Sequence, residues 1–288
     1  MLTILEGVTL MPKNKLVSPV LKWVGGKRQL LPSIKPMLPK RITSYCEPFV
    51  GGGAVLFDLQ PKKAIVNDIN SDLILVYTVI RDNVEALIEL LETYPNEESF
   101  YYELRNIDRD QEKYDKLSEI ERAARVIFLN KTCYNGLYRV NNAGEFNSPF
   151  GKYKNPNIVN APVLRAVSTY FNSSEITFST TDFELVLEQV RKGTFVYLDP
   201  PYDPVSDTSS FTGYSKGGFS REQQIQLREC CDRLNARGVK FMLSNSATDF
   251  IREQYSDYHI TIVQAKRAIN SVASKRGDVE EVIITNYE

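Results

Sequence analysis

The sequence predicts a doubly wound α/β fold built on a mostly parallel sheet. Short apolar runs recur along the chain with helical segments between them, which is the pattern of a sheet covered by helices on both faces. The 288 residues, 42% hydrophobic and 25% charged, are enough to bury a substantial core and exceed the usual size of one compact unit. We therefore expect one large domain with an insertion, or two domains.

Seven apolar runs are predicted to be strands because each is short and bounded by turn residues or a helical pattern. They are Tyr45 to Val50, Ala64 to Asn67, Ile176 to Ser179, Thr194 to Leu198, Val239 to Asn245, Ile260 to Val263 and Val279 to Thr285.

One helix, Arg221 to Arg237, has clear signals at both ends. Ser220 and Gln223 form a capping box at its start, and Gly238 ends it. Its apolar face predicts core positions for Leu227, Cys230, Cys231 and Leu234.

Between residues 71 and 162 the pattern changes, because helical periodicity dominates until a short hairpin. Ser118 and Glu121, for example, form the capping box of a predicted helix that runs through Phe128. We interpret 71–162 as an inserted helical domain. It divides a catalytic sheet domain into the portions 1–70 and 163–288.

Charge, cysteine content, apolar runs and the single histidine limit what kind of protein this can be. A net charge of −1 gives no global attraction to polyanions, so a nucleic-acid surface must be a local patch. The four cysteines lack zinc-site spacing and the density of a disulfide scaffold, which favours a reduced, cytoplasmic protein. No apolar stretch approaches membrane-spanning length, so no membrane association is expected. His259 is the only histidine and lies in a predicted strand, which excludes a histidine triad or a multi-histidine metal site.

The most informative segment is Asp199-Pro200-Pro201-Tyr202, directly after the predicted strand ending at Leu198. Prolines fix φ and cannot donate a backbone N–H, so a stiff turn presents acceptor oxygens beside an aromatic ring. That arrangement suits a planar base with an exocyclic amine, which enzymes bind in an extruded form. The alternative is an ordinary proline turn with one exposed acid.

Three other segments fall where a nucleotide-like cofactor would bind at the carboxyl edge of such a sheet. The glycines of Glu47-Pro48-Phe49-Val50-Gly51-Gly52-Gly53 would let the backbone approach a ligand closely. Asp68 ends the next strand and could accept hydrogen bonds from ribose hydroxyls, although such an acid is also often a helix cap. Asp182-Phe183 could hold an adenine ring through one acceptor and one apolar face.

The segment Leu21-Lys22-Trp23-Val24-Gly25-Gly26-Lys27-Arg28 contains the only tryptophan. It is not a phosphate-binding loop, because the required upstream glycine is Leu21 and the residue after Lys27 is Arg28. Trp23 and Lys27 beside glycines suit a ligand that carries an adenine ring and a carboxylate. The alternative is a tryptophan that closes the edge of the core.

Four ordered motifs resemble the N6-adenine DNA methyltransferases of the DNA adenine methylase (Dam) type, in particular the DpnII-type modification methylases. The resemblance runs over nearly the whole chain, through Lys22-Trp23-x-Gly25-Gly26-Lys27, Pro48-Phe49-x-Gly51-Gly52-Gly53, Asn67-Asp68-x-Asn70 and Asp199-Pro200-Pro201-Tyr202. It implies S-adenosylmethionine as methyl donor, S-adenosylhomocysteine as product and no metal. The cofactor contacts carry over to Trp23, Lys27, Asp68 and Asp199; Phe49, Gly51, Gly53, Asp182 and Phe183 complete the expected cofactor site.

The same family places a target-recognition hairpin at residues 134–153. Independently of the resemblance, Asn142-Ala143-Gly144 is a plausible hairpin turn, and lysine and arginine outnumber the single acid, Glu145. A solvated hairpin with an ordinary charge excess is the alternative.

By resemblance, Arg139 reads a guanine edge in GATC, and Leu137 and Pro149 make apolar base contacts. Tyr134 inserts beside the displaced base, and Asn135 supports its orphaned partner. Lys152 stands where the Dam-type pattern has arginine, which weakens a bidentate phosphate contact.

The expected reaction is direct methyl transfer to N6 of a flipped adenine, with Asp199, Pro200 and Tyr202 as catalytic residues. Cytosine N4 or an RNA base, a non-catalytic DNA-binding protein and, least favoured, a nicotinamide-dependent oxidoreductase are the alternatives. The stretch from Asp203 to Ser220 is a candidate closing loop, and Lys266, Arg267, Lys275 and Arg276 are candidate phosphate contacts.

We expect double-stranded DNA as the partner and a monomeric protein. By resemblance, the chain is either the modification enzyme of a restriction-modification system or an orphan methylase. In the first case an endonuclease would act on the same site without a stable complex.

Overall fold

The computed structural model describes residues 13–23, 25, 27–141, 143–205, 218–266 and 278–288. Seven strands of these ranges form one sheet. They are β1 (Ser44–Glu47), β2 (Lys63–Asn67), β3 (Glu175–Ser179), β4 (Thr194–Leu198), β5 (Lys240–Ser246), β6 (His259–Lys266) and β7 (Asp278–Thr285).

The strand order is β3-β2-β1-β4-β5-β7-β6. The strands from β3 to β5 pair in parallel, and β7 runs antiparallel to both of its neighbours, β5 and β6. The predicted doubly wound, mostly parallel sheet is therefore confirmed. The order of strands reverses between β1 and β4, and this switch point creates a crevice at their carboxyl ends.

The predicted strands agree closely with the observed ones, apart from the ends of β1 and of β6, which runs to Lys266 rather than to Val263. The prediction extends β1 to Val50, but it ends at Glu47. Pro48 has no N–H for the ladder, and the Val50 N–H donates instead to the Asn67 carbonyl at 3.0 Å. The chain therefore leaves the sheet early and forms the glycine-rich turn.

Eleven α-helices lie in the described ranges. They are α1 (Leu31–Ile34), α2 (Ala54–Leu59), α3 (Ser71–Asp82), α4 (Val84–Glu92), α5 (Glu98–Asn106), α6 (Gln111–Lys116), α7 (Glu119–Thr132), α8 (Ala161–Asn172), α9 (Phe183–Gln189), α10 (Arg221–Ala236) and α11 (Asp249–Gln254).

Both predicted capping boxes are present, at the start of α7 and of α10. Cys230 and Cys231 are buried on α10, as its apolar face predicts. These helix ends could be read from sequence because a cap is made by residues three positions apart.

Two apolar layers cover the sheet. Residues of α9, α10 and α11 pack on one face, while α2, α3, α4, α7 and α8 share the larger layer on the other. In the larger layer Tyr77 of α3 lies 5.9 Å from Phe57 of α2 and 6.0 Å from Phe171 of α8 between ring centroids. Segment 71–162 thus shares a core with the sheet, and its separation as an inserted domain stays a prediction.

Among the described helices, none combines the length and the apolar character needed to span a bilayer.

Candidate active site at the carboxyl edge of the sheet

The candidate site lies at the switch point, where the chain leaves β1 and β4. The glycine-rich turn follows β1 at Glu47, and Asp199 follows β4 at Leu198. Because β1 and β4 are parallel neighbours, both segments leave the same edge of the sheet. Asp68 leaves that edge from β2, on the other side of β1. Three of the four motifs singled out from the sequence are thus brought together by strand pairing.

The glycine-rich turn is packed tightly against Trp23. Gly51 has φ +47°, and a Cβ atom there would lie 2.8 Å from Trp23 Cδ1. A larger residue would be strained and would also displace the indole ring. The Gly51 carbonyl accepts a 2.7 Å hydrogen bond from the Tyr77 hydroxyl, which anchors the turn to α3.

Asp68 is held by backbone donors. Its Oδ2 accepts from the Gly51 N–H at 2.9 Å, and its Oδ1 accepts from the Asn70 N–H at 3.0 Å. Burial raises the pKa of Asp68 to about 6, against the lowering effect of these two bonds. Asp68 is therefore an oriented carboxylate rather than a helix cap; the cap of α3 is Asn70.

Lys27 and Asp199 form a buried ion pair. Lys27 Nζ lies 2.8 Å from Asp199 Oδ1 and donates to the Gly25 carbonyl at 2.6 Å. The Lys27 side chain is 6% exposed, whereas Asp199 keeps 20% of its side-chain surface open. Burial raises the pKa of Asp199 to about 6, although the charge of Lys27 lowers it. Asp199 is thus reachable by a ligand and ionised at neutral pH.

Tyr202 lies next to this pair. Lys27 Nζ is 4.5 Å from the centroid of the Tyr202 ring, a cation–π contact, and the Tyr202 hydroxyl donates to Glu281 Oε2 at 2.8 Å. No donor among the described residues bonds to the Pro200 carbonyl, so its oxygen can accept from a ligand.

Two buried amides support the proline turn from behind. Gln224 Nε2 donates to the Pro201 carbonyl at 2.9 Å, and Asn245 Nδ2 donates to Gln224 Oε1 at 3.1 Å. Asn245 Oδ1 in turn accepts from the Asp203 N–H at 3.0 Å. Side chains of α10 and β5 therefore hold both ends of the turn.

Asp182 and Phe183 lie beyond β3. Asp182 caps α9 by accepting from the Glu184 N–H at 2.8 Å, so one of its two oxygens is already engaged. Phe183 is buried, and its ring centroid lies 5.4 Å from that of Phe49. These rings form an apolar patch between the β1 turn and α9.

The hairpin after α7 is short, with Tyr138 and Phe146 buried and most of the predicted DNA contacts exposed. Isolated bridges join Cys133 to Phe150 and Val140 to Phe146, and the Asn147 N–H donates to the Arg139 carbonyl at 2.7 Å. Five of the six predicted DNA contacts have exposed side chains, and Leu137 is half-buried. The exposed ones are Tyr134, Asn135, Arg139, Pro149 and Lys152.

Trp23 joins this hairpin to the glycine-rich turn. Its indole stacks on the Tyr138 ring at 4.7 Å with an interplanar angle of 24°. The Tyr138 hydroxyl donates to Asp72 Oδ2 at 3.3 Å. Asn130 of α7 adds a second link, because its side chain accepts from the Lys22 N–H at 2.9 Å and donates to the Lys22 carbonyl at 2.8 Å.

Sequence reasoning missed several residues at this site. Glu47, at the end of β1, is 2% exposed and accepts from the Tyr45 hydroxyl at 2.8 Å; burial raises its pKa well above the usual range. Glu47 is the first residue of the glycine-rich segment singled out from the sequence, but no role was assigned to it there. Gln224, Asn245 and Glu281 had no local signal, because their partners lie 23 to 79 positions away.

Some predictions fall outside the described residues. These are Gly26 and Asn142 within two of the motifs, most of the candidate closing loop (206–217), and Arg267, Lys275 and Arg276, together with the side chain of Lys266.

Comparison with known proteins identifies a family and relatives that match most of the chain. Residues 23–269 match the family of D12 class N6 adenine-specific DNA methyltransferases. The chain is 46% identical over 283 residues to type II methyltransferase M1.LlaDCHI of Lactococcus lactis, covering 97% of this chain and 99% of that protein.

Two further relatives extend the comparison. Type II methyltransferase M.MjaIII of Methanocaldococcus jannaschii is 47% identical over 291 residues, with 94% of this chain and 99% of that protein covered. The DNA adenine methylase of Escherichia coli K12 is 36% identical over 268 residues, with 91% and 93% covered.

Proposed function

Because the chain belongs to the D12 class of N6 adenine-specific DNA methyltransferases, we propose that it methylates adenine within GATC sites of double-stranded DNA. Membership establishes an enzyme that acts on adenine in DNA and implies S-adenosylmethionine as the methyl donor. The target sequence and the role of each residue are our proposal. The observation that carries it is the position of Asp199, partly open, paired with Lys27 and followed by an unbonded Pro200 carbonyl.

The residues around the glycine-rich turn fit the proposed methyl donor. Gly51 and Gly53, at φ +47° and +68°, let the backbone pass close to a ligand. Asp68 supplies a fixed acceptor for ribose hydroxyls, and the Phe49–Phe183 patch with Asp182 suits an adenine ring. We assign Trp23 and Lys27 to the same site. No group of three or more metal-ligating side chains occurs in the ranges that the structure describes.

The proposed chemistry rests on hydrogen-bond acceptors. S-adenosylmethionine would supply a methyl group bound to a positively charged sulfur; the N6 lone pair bonds to the methyl carbon as its bond to sulfur breaks, and one of the two amino hydrogens leaves as a proton. Asp199 and the Pro200 carbonyl accept from the two hydrogens of the adenine amino group, which makes its nitrogen more pyramidal and more nucleophilic. Tyr202 stacks on the extruded base and sets its plane. Alignment and electrostatics at a rigid turn are therefore the main contributions to the rate.

We propose residues 71–162 as the target-recognition segment, with the hairpin at its end. Exposure of Arg139 supports the assignment, since no carboxylate of the described residues pairs with its guanidinium and its fork can reach O6 and N7 of guanine. Leu137 and Pro149 contact bases, Tyr134 inserts beside the flipped adenine, Asn135 supports the orphaned partner, and Lys152 contacts phosphate.

Two relatives are named type II methyltransferases, which supports a role as the modification enzyme of a restriction-modification system. An orphan methylase is the alternative, supported by the relatives named DNA adenine methylase. We propose a cytoplasmic monomer in either case. Cloning the genes that flank this one and testing them for GATC cleavage separates the two roles, and size-exclusion chromatography tests the monomer.

The deciding experiment measures transfer of labelled methyl from S-adenosylmethionine to paired duplexes that differ only in GATC or a scrambled site. Nucleoside analysis then identifies the product. We expect N6-methyladenine in the GATC duplex alone. Label in both duplexes would reject the specificity, and methylated cytosine would reject the assignment of the base pocket.

A further inference from the structure

We propose that Glu281 is a positioning residue that orients the target base by holding the ring of Tyr202. This inference rests on the proposed function, in which Tyr202 stacks on the extruded adenine. Glu281 would act through Tyr202 and would touch neither the base nor the methyl donor.

The contact itself is direct. The Tyr202 hydroxyl donates to Glu281 Oε2 at 2.8 Å. A bond at the hydroxyl restrains the swing of the ring about Cα–Cβ, because the hydroxyl is the atom farthest from the backbone. The place at which the Tyr202 ring lies, and so the place at which a base would stack, is therefore set by the position of Glu281.

Glu281 itself is held by the sheet. It lies in β7, where it is paired with Ser246 of β5 on one side and with Val263 of β6 on the other. The adjacent residues of β7, Val282, Ile283 and Ile284, are fully buried. The carboxylate thus projects from a strand with neighbours on both sides, which is a more rigid support than a loop.

Lys27 restrains the ring from a second direction. Its Nζ lies 4.5 Å from the ring centroid of Tyr202 and 2.8 Å from Asp199. Lys27 and Glu281 together therefore fix Tyr202 relative to the carboxylate that would bind the amino group.

The placement of Glu281 opposes the ionisation of its acidic neighbour, which indicates a role that offsets this effect. Burial is the main cause of the raised pKa of both Asp199 and Tyr202, and the charge of Glu281 raises both further, so it opposes ionisation of the proposed catalytic acid. Glu280, one residue earlier, makes an ordinary surface ion pair with Arg252 at 3.2 Å. In the described ranges Glu281 has no cationic partner within 4 Å and bonds to Tyr202 instead.

A double-mutant cycle tests this inference. Glu281→Ala, Tyr202→Phe and the double variant are compared in single-turnover methylation of a GATC duplex, with the affinities for DNA and S-adenosylmethionine measured separately. We expect each single change to lower the rate constant about tenfold, since small misplacements of reacting groups are costly. The double variant should be no slower than either single variant, and both affinities should stay within about twofold of wild type.

Two additional variants serve as controls. Glu280→Ala removes the neighbouring carboxylate and should leave the rate unchanged. Glu281→Gln keeps an acceptor oxygen at the same reach and should retain most of the rate. If Glu281→Ala does not fold, Glu281→Met, which keeps the side-chain length without an acceptor, takes its place in the cycle.

A Glu281→Ala enzyme with the wild-type rate, or effects of the two single changes that multiply in the double variant, would overturn the inference. So would a Glu281→Gln variant as slow as Glu281→Ala. Failure of the proposed function is distinguishable, because in that case the wild-type enzyme itself would not form N6-methyladenine in the GATC duplex.

Discussion

At the residue scale, the proposed chemistry depends on the ionisation of Asp199. Burial alone would keep this carboxyl protonated, and Lys27 at 2.8 Å opposes that effect. The result is a pKa of about 6, which leaves the group ionised at neutral pH and able to accept hydrogen bonds. Lys27 is therefore as important for the proposed site as the acid.

The rate of methyl transfer should depend on pH in the direction set by Asp199. Its carboxylate is the active form, so the single-turnover rate at saturating substrates should be constant above about pH 7 and should fall as pH decreases through about 6. Below that pH the single-turnover rate should fall about tenfold for each further unit of decrease in pH. A rate profile between pH 5 and 9 measures this.

Lys27→Met provides the matched test of this pH dependence. Loss of the Lys27 ammonium removes the positive charge that lowers the pKa of Asp199. The fall of the rate at acidic pH should therefore begin at a higher pH. If the rate of the Lys27→Met variant falls at the same pH as that of the wild type, the fall is caused by a group other than Asp199.

At the element scale, α7 connects the two halves of the proposed site. Asn130, at its C-terminal end, is fully buried and bonds to both backbone groups of Lys22 and to the Gly136 carbonyl at 3.3 Å. One side chain thus holds the Trp23 segment against the hairpin. Buried polar links of this kind are costly to break because the freed backbone groups stay buried.

Asn130→Ala should lower the free energy of unfolding by about 2–4 kcal/mol, since it leaves buried donors and acceptors without partners. Urea denaturation measures the change. Asn106→Ala, at an exposed position on α5, is the control and should change stability by less than about 0.5 kcal/mol. Equal effects of the two substitutions would mean that the Asn130 contacts contribute nothing specific.

Two positions of the hairpin should respond differently to substitution. Arg139→Ala should reduce discrimination at one guanine by about 1–3 kcal/mol, because it removes a base contact. Lys152→Ala should weaken binding to all duplexes alike and lower the salt dependence by about one phosphate contact. Titrations of GATC and single-substitution duplexes at several salt concentrations measure both effects. If Arg139→Ala weakens binding to all duplexes equally, Arg139 contacts a phosphate rather than a base.

At the scale of the whole molecule, the switch point collects three acids at one edge of the sheet. Glu47, Asp68 and Asp199 all have raised pKa values because of burial at one edge of the sheet. Ionised carboxylates in such a place oppose folding. The carboxylates of the proposed site therefore lower the stability of the folded protein, as groups needed for function often do.

The ligand-free protein should consequently lose stability at this site as pH rises. The pKa of Asp68 is about 6 in the folded protein and near 3.8 when unfolded, so the folded state binds more protons between these values. The contribution of Asp68 to the free energy of unfolding should fall by about 2 kcal/mol between pH 4 and 7. Asp68→Asn should remove that part of the pH dependence, as urea denaturation at pH 5 and 8 would detect. An identical pH dependence in the variant would contradict the assignment.

The sequence by itself determined the sheet class, the capping boxes of α7 and α10, and the motifs that identify the family. Each of these is encoded locally, by periodicity, by two capping residues three positions apart or by consecutive residues such as Asp199 to Tyr202. The predicted DNA contacts stay a proposal, and only their grouping in one hairpin follows from closeness in the chain.

Only the tertiary structure decided which distant residues contact the candidate site. Glu281 reaches Tyr202 across 79 positions, and Asn130 reaches Lys22 across 108, so no local pattern signals either contact. The early end of β1 also depends on a bond to β2. Strand order brings distant residues together, and the partners of a buried polar group follow from that order rather than from the composition of its own segment.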